Sequence, residues 1–155
     1  MTQPDDCPGI IVPPPLIYFT GFLFAYAVNR FYPIPMFGPP LSIVLALLAV
    51  APSAVLGLWG LLEFRRARTN PFPHKPSSSL VIVGPYRVTR NPMYLSLTLL
   101  YIGIGFLFRI AWTFIFLPGI IFIIHVYVIR REESYLESRF GEQYHSYKKQ
   151  VRRWL

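Results

Sequence analysis

The chain has 155 residues, the length of one domain, but its composition is not that of a soluble domain. Hydrophobic residues make up 54% and charged residues only 14%, against about 25% charged in typical soluble proteins. The net charge of +8 does not indicate nucleic acid, because the basic residues flank apolar stretches, and we expect anionic lipid headgroups as partners. The single cysteine, Cys7, excludes an internal disulfide and a metal cage of cysteines, and we expect no metal.

Two apolar helices are predicted in the first 62 residues. The polar, acidic stretch Met1–Gly9 lacks the basic start of a signal peptide, so none is expected. A membrane helix needs about 20 apolar residues. Leu16–Phe31 is predicted as a short first span, and Leu41–Leu62 as a longer second span without charge. Pro52 is expected to bend the second span, because proline removes a helical hydrogen bond.

A long polar connection, Glu63–Arg90, follows the second span and is rich in arginine, proline and serine. Its apolar stretch Leu80–Val83 predicts a short strand or a segment on the membrane surface. Connections of this length inside a domain are usually functional or disordered. The apolar end of this one favours a function.

Two more spans and a helical tail are predicted after the connection. The spans are Pro92–Phe108 and Ile110–Ile129, and the single arginine between them predicts a tight helical hairpin. The helical pattern continues in polar form from Glu132 to Phe140, where Gly141 fits a helix C-cap. An amphipathic helix over Glu142–Arg153 is expected to dock on the domain or to lie at the lipid surface.

The predicted fold is therefore an all-α integral membrane domain over residues 1–155, with about four transmembrane helices. Residues 1–62 hold two spans, and residues 63–155 hold a cytoplasmic loop, the helical hairpin and the C-terminal helices. Four spans place both termini and the polar connection on one side. Of the 15 lysines and arginines, only Arg30 and Arg109 fall on the other side, which predicts a cytoplasmic location for the termini and the connection.

The stretch Gly84–Tyr94 concentrates polar and aromatic groups between two apolar blocks. Pro92 suits the start of a helix, and the free N–H groups of that helix end can face an anion. Arg90 beside it can pair with a carboxylate or a phosphate. Tyr86 and Tyr94 offer flat rings to a base or a cation. This stretch is predicted as one half of a binding site.

The other candidates lie in the hairpin and the tail. His125 and Glu132 are seven residues apart, about two helical turns, which predicts one shared face. The pair Glu132 and Glu133 can hold a cation. The alternatives are that His125 is a packed, neutral histidine and that the two glutamates belong to a solvated helix end. Gly103 and Gly105 contact either a ligand or a neighbouring helix. An anion site, a cation site and aromatic walls are together what S-adenosylmethionine needs.

Gly-Pro-Tyr, three residues, then Arg-Asn-Pro-Met-Tyr resembles the signature of the integral-membrane S-adenosylmethionine-dependent methyltransferases. That family includes isoprenylcysteine carboxyl methyltransferases and phospholipid N-methyltransferases. The tail, with Arg131-Glu132-Glu133, Phe140-Gly141, Tyr144 and Tyr147, is similar to the family's second block. The resemblance runs from about Glu63 to Leu155 and implies that the two blocks enclose the cofactor near the cytoplasmic face.

The resemblance implies a set of cofactor-binding residues, to which the helix pattern adds two glycines. These residues are Leu80, Gly84, Tyr86, Arg90, Asn91, Pro92, Tyr94, Gly103, Gly105, Glu132 and Glu133. The candidates for catalytic roles are Arg90, His125, Glu132 and Glu133, of which the last three are candidates for taking a proton from the acceptor. Isoprenylcysteine enzymes typically have histidine at the positions of Asn91 and Ser78, which speaks against a prenylcysteine acceptor.

The implied reaction is methyl transfer from S-adenosylmethionine to a lipophilic or small acceptor, which is a carboxylate, an amine or a thiol. Positioning is the main contribution expected of the protein. Two other functions stay open at this point. One is a membrane reductase related to the sterol reductases, which would use NADPH. The other is a non-catalytic membrane protein whose basic loop binds lipid. The oligomeric state is also open.

Overall fold

The computed structural model describes residues 8–70 and 78–154, and this part of the chain is helical without any strand. Cys7 and residues 71–77 of the polar connection lie outside it. The helices are α1 Pro14–Phe31, α2 Pro39–Arg66, α3 Pro92–Phe108, α4 Ala111–Ile123, α5 Arg130–Phe140 and α6 Glu142–Gln150. A 3-10 turn covers Gly84–Arg87, and a π-helical turn, Ile124–Ile129, joins α4 to α5 in one continuous helix.

Within residues 8–70 and 78–154, two helices are long and apolar enough to cross a membrane, namely α2 and the continuous helix Ala111–Phe140. Helix α3 is apolar but has only 17 residues. The all-α fold is confirmed, whereas the number of four crossings stays a prediction. Beyond the apolar part of the continuous helix, α5 carries four charged residues in its first turn and is a polar extension.

Helices α2 and α3 make the most extensive helix contact in the described part of the chain. A Cβ atom at Gly103 would lie 2.5 Å from Val50 Cγ2, and one at Gly57 would lie 2.7 Å from Ser96 Oγ. Ser53 Oγ donates to the carbonyl oxygen of Ser96, and Ser96 Oγ donates to that of Ser53, each over 2.8 Å. Small residues therefore let the two backbones approach, and paired hydroxyls fix their register.

The predicted hairpin between α3 and α4 is confirmed. Arg109 ends α3 in the left-handed region, with φ +53°, and its N–H donates to the carbonyl oxygen of Phe106. Gly105 packs against Thr113 so closely that a Cβ atom would collide with the threonine hydroxyl. The connection has two residues, Arg109 and Ile110, and it can be this short because the reversal uses this backbone geometry and this glycine.

The tail docks on the rest of the domain. Tyr144, Tyr147 and Val151 form a buried cluster against which Leu80 and Leu136 pack. The predicted strand at residues 80–83 is not formed, and its first residue instead joins this cluster. Helix α6 ends three residues before the predicted end, because the backbone at Val151 is extended, with φ −123° and ψ 132°.

Candidate active site

A cavity of about 100 Å³ lies between the stretch Gly84–Tyr94 and the polar helices α5 and α6. Its walls combine charged, polar and aromatic side chains. Seven of the residues predicted as cofactor-binding line it, namely Leu80, Tyr86, Arg90, Asn91, Tyr94, Glu132 and Glu133. The structure thus brings the two halves of the predicted site, some forty residues apart in sequence, to one place.

The 3-10 turn that carries Tyr86 is fixed on two sides. Gly84 has φ +62°, and a Cβ atom there would lie 2.8 Å from Trp59 Nε1 and 2.9 Å from Glu63 Cγ, so only glycine lets the turn approach α2. From the other side, the hydroxyl of Tyr147 donates to the carbonyl oxygen of Tyr86 over 2.6 Å. The ring of Tyr86 is thereby held in the cavity wall.

The C-terminal segment holds the entry to α3. Asn91 precedes the helix, and its side chain does not cap it. Instead Asn91 Nδ2 donates to the carbonyl oxygen of Arg153 over 2.8 Å, and Thr89 Oγ1 donates to the same oxygen over 3.1 Å. The N–H of Arg90 donates to the carbonyl oxygen of Arg152 over 2.9 Å. These three bonds orient the backbone on both sides of the Arg90 side chain.

Glu133 is buried between two arginines. Arg153 grips both of its oxygens, with Nε 2.9 Å from Oε1 and Nη2 2.5 Å from Oε2. Arg90 Nη1 lies 3.0 Å from Glu133 Oε1, close enough for an ion pair, but it is not aligned as a hydrogen bond. Arg90 Nε and Nη1 are therefore buried donors without a hydrogen-bond acceptor in the described part of the chain. Because two guanidinium groups surround one carboxylate, the group of Arg90, Arg153 and Glu133 has a net charge of one positive unit.

Glu132 has a different environment from its neighbour. The hydroxyl of Tyr94 donates to Glu132 Oε1 over 2.7 Å, and Glu132 forms no ion pair within the described residues. Burial raises the pKa of Glu132 to about 7, against the effect of the Tyr94 hydrogen bond, and the charge of Glu133 raises it further. Glu132 is thus a carboxyl group that can form an ion pair with a bound cation.

The phenols of Tyr86 and Tyr144 in the cavity walls are neutral at physiological pH. Burial raises the pKa of Tyr86 well above its ordinary value, and the charge of Glu132 acts in the same direction. Burial also raises the pKa of Tyr144 to about 12. These phenols are poor bases near neutral pH, and they supply flat, apolar faces with a polar tip.

Four predicted residues do not reach the cavity lining because they are used in packing. Gly84 packs on α2, Pro92 is buried in the first turn of α3, and Gly103 and Gly105 are occupied by the α2 and α4 contacts described above. The two glycines of α3 therefore take the packing role that the sequence analysis gave as the alternative.

His125 also lies outside the cavity. Its Nε2 is 3.2 Å from Arg153 Nη1, and its side chain borders an apolar groove lined by Leu117, Pro118 and Phe122. The predicted shared face of His125 and Glu132 is wrong, because His125 lies in the π-helical turn. A π turn contains more residues than an α turn, so a spacing of seven no longer returns to the same side.

Among the residues that the sequence did not indicate, Arg153 holds Glu133 in place beside the cavity. It was predicted only as the last residue of an amphipathic helix, and no motif or helical spacing links it to Glu133, twenty residues earlier. The one available signal was charge: a buried carboxylate flanked by aromatic residues needs a cationic partner.

The fold and the cavity define an all-helical membrane protein with a charged site at the polar ends of its helices. A family model described as phospholipid methyltransferase matches residues 41–143, about two thirds of the chain. The chain belongs to the phospholipid methyltransferase family, which confirms the predicted membrane methyltransferase family and implies methyltransferase activity. The matched region contains Gly84–Tyr94 and the two glutamates, but it ends ten residues before Arg153.

One relative and the absence of a structural match complete the comparison. The chain is 46% identical over 71 residues to an uncharacterized protein of Haemophilus influenzae (strain ATCC 51907 / DSM 11121 / KW20 / Rd). That alignment covers 41% of this chain and 100% of the other protein. No solved structure matches the chain.

Proposed function

We propose that this protein transfers a methyl group from S-adenosylmethionine to a lipophilic or small acceptor, and that the cavity beside Glu132 is its cofactor site. The observation that carries the proposal is that one cavity contains a positively charged group, the guanidinium of Arg90, and a negatively charged group, the carboxylate of Glu132, both with unused binding capacity. Within the described residues, Arg90 presents buried N–H donors without an acceptor, and Glu132 presents a carboxylate without an ion-pair partner. A ligand that carries a carboxylate and an ammonium group satisfies both.

The residues present fit that cofactor. Arg90 is suited to the cofactor carboxylate, because a guanidinium pairs with carboxylates in a fixed geometry. Glu132 is suited to the ammonium group. The neutral rings of Tyr86 and Tyr144 offer stacking faces to the adenine. When bound, S-adenosylmethionine supplies an electrophilic methyl group on a positively charged sulfur.

The contribution of the chain itself is mainly positioning. Fixing the donor and the acceptor in a reactive geometry removes several kcal/mol from the barrier of a bimolecular reaction. If the acceptor is an amine or a thiol, a proton must also leave it. Glu133 is engaged by two arginines and His125 is outside the cavity, so Glu132 is the best placed of the three candidates for this role.

The proposed site faces the cytoplasm. The support is the distribution of charge, because thirteen of the 15 lysines and arginines lie on the side of the cavity if the chain crosses four times. Exposed cysteines in a Cys7→Ser background test this orientation. A membrane-impermeant maleimide added to intact cells is expected to label Phe37→Cys but not Ser146→Cys. The reverse pattern would show that the site faces outward.

Binding calorimetry on the purified protein tests the cofactor. Heat of binding is expected with S-adenosylmethionine and with its demethylated product, and none is expected with NADPH. Binding of NADPH in place of S-adenosylmethionine would support the reductase alternative. Binding of neither by folded protein would contradict the proposal.

A further inference from the structure

The C-terminal segment Val151–Trp154 connects the two halves of the cavity. Its main-chain carbonyl groups accept hydrogen bonds from Thr89, Arg90 and Asn91, on the side of α3. Its Arg153 side chain reaches the opposite side and grips Glu133 on α5. One short extended segment thus fixes both walls, although it lies outside the region that the family model matches.

The position of Arg90 depends on this connection. Arg153 holds both oxygens of Glu133, and Glu133 Oε1 in turn lies 3.0 Å from Arg90 Nη1. The carboxylate therefore cannot rotate without breaking the grip of Arg153, and it draws the Arg90 guanidinium toward α5. In that position the Nε and Nη1 donors of Arg90 are buried and have no hydrogen-bond acceptor among the described residues.

The charge balance shows why two arginines are needed. A pair of Glu133 and Arg90 alone would be neutral and would satisfy the guanidinium that must bind the ligand. Because Arg153 makes the two aligned hydrogen bonds to Glu133, Arg90 is held by attraction but keeps donors free. The group of three carries one net positive charge, which matches a ligand carboxylate.

We propose that Arg153 is a positioning residue of this site: it acts through Glu133 to aim Arg90 at the anionic group of the cofactor. This inference rests on the proposed function, because it takes the cofactor carboxylate as the partner of Arg90. Arg153 itself contacts Glu133 and His125, is not in the cavity lining, and need not touch the ligand.

The test is a set of equilibrium titrations with S-adenosylmethionine on the full-length protein. Arg153→Ala is expected to weaken binding by about tenfold or more, because it releases Glu133 to neutralise Arg90 and leaves the carboxylate half-paired. Arg153→Lys keeps the charge but loses the two-pronged grip, and it is expected to recover part of the affinity. Arg139→Ala is the matched control, since this arginine is exposed on α5 away from the cavity, and it should bind as the wild type does.

A double-mutant cycle separates positioning from a general structural role. If Arg153 acts through Glu133, then Arg153→Ala and Glu133→Gln together weaken binding by clearly less than the product of their separate effects. Independent, multiplicative effects would overturn the inference, as would wild-type affinity in Arg153→Ala. If the thermal midpoint shows that Arg153→Ala does not fold, the cycle is run with Arg153→Lys instead. Wild-type affinity of Arg153→Lys would then overturn the inference. Absence of binding by the wild type would instead overturn the proposed function, and this inference with it.

Discussion

The two halves of α3 have opposite roles. The first half contains Tyr94 and follows Asn91; both residues line the cavity, and they bond to Glu132 and to the carbonyl oxygen of Arg153, respectively. The second half carries Gly103 and Gly105, against which the neighbouring helices α2 and α4 pack closely. Both halves contain residue types that are candidates for ligand binding when the sequence alone is considered.

The difference lies in where the neighbouring charges are. At the first half, α5 and the C-terminal segment bring the charged side chains of Glu132, Glu133 and Arg153 close to the helix start, and donors of Arg90 have no acceptor within the described residues. At the second half α1, α2 and α4 are close, and the hydroxyl group of Thr113 there bonds to the backbone. A glycine in an apolar helix therefore indicates a close helix contact, whereas an unsatisfied charge at the helix end indicates a ligand.

The largest effect on the first half is expected from Arg90→Ala. This change removes the guanidinium that we assign to the cofactor carboxylate and leaves Glu133 paired with Arg153 alone. Loss of a buried, charge-assisted contact costs about 2–5 kcal/mol, so the dissociation constant for S-adenosylmethionine should rise by about a hundredfold. Arg87→Ala, at an exposed arginine of the same stretch, should leave it unchanged. Equal affinities for the two variants would place the anion site elsewhere.

Glu132→Gln is expected to weaken cofactor binding by about tenfold and to change its pH dependence. In the wild type, protonation of Glu132 as the pH falls through about 7 removes the charge that holds the ammonium group, so affinity should decrease toward acidic pH. The glutamine variant has no such group, and its weaker binding should be flat across this range. Titrations from pH 6 to pH 8.5, which extend about one unit or more to each side of the pKa of Glu132, measure the affinities of the wild type and the variant and their dependence on pH. A flat wild-type profile would contradict the role of Glu132.

Gly103→Val should affect the second half of α3 alone. The added side chain would meet Val50 and the backbone of Ala46, and overpacking of this kind costs about 1–3 kcal/mol of stability. We expect a lower thermal midpoint with the cofactor affinity of the remaining folded protein unchanged. Gly119→Ala is the control, because nothing lies within 4 Å of its added Cβ atom. A large loss of affinity in Gly103→Val would mean that this half also takes part in binding.

The smallest effect is expected from Thr89→Val, which removes one hydrogen bond to the C-terminal segment. The side chain is buried and its hydroxyl donates to the carbonyl oxygen of Arg153, so the change should cost about 1 kcal/mol of stability. Thr20→Val on the exposed face of α1 is the comparison and should stay within about 0.5 kcal/mol. Chemical unfolding in detergent measures both. Equal stability of both variants would show that the carbonyl of Arg153 is held without Thr89.

The helices and half of the site could be predicted from the sequence because they depend on local patterns. Hydropathy placed Pro92–Phe108 at its observed ends, and the proline-bounded signature placed Arg90 and Tyr94. The π turn at Ile124–Ile129 could not be predicted, because its apolar residues fit an α-helix equally well, and it moved His125 away from Glu132.

The pairing of Arg153 with Glu133 could not be predicted from the sequence for a different reason. It depends on how α6 folds back, which is decided by buried tyrosines and by the carbonyl groups that follow Val151. None of these long-range contacts has a fixed spacing in sequence. The two glutamates are likewise equivalent in the sequence. Their neighbours show that Glu133 is paired with two arginines, whereas Glu132 has no ion pair within the described residues.

Methyl transfer in membranes is the most direct test of the central claim. Membranes that contain the wild type, Glu132→Gln or no added protein are incubated with methyl-labelled S-adenosylmethionine, and the label is then measured in the lipid-soluble and water-soluble products. We predict label transferred by the wild type to one of these fractions, and transfer reduced by about tenfold in Glu132→Gln at equal protein level. No transfer above the background by folded wild type, or equal transfer by the variant, would contradict the assignment of the cavity as the site of methyl transfer.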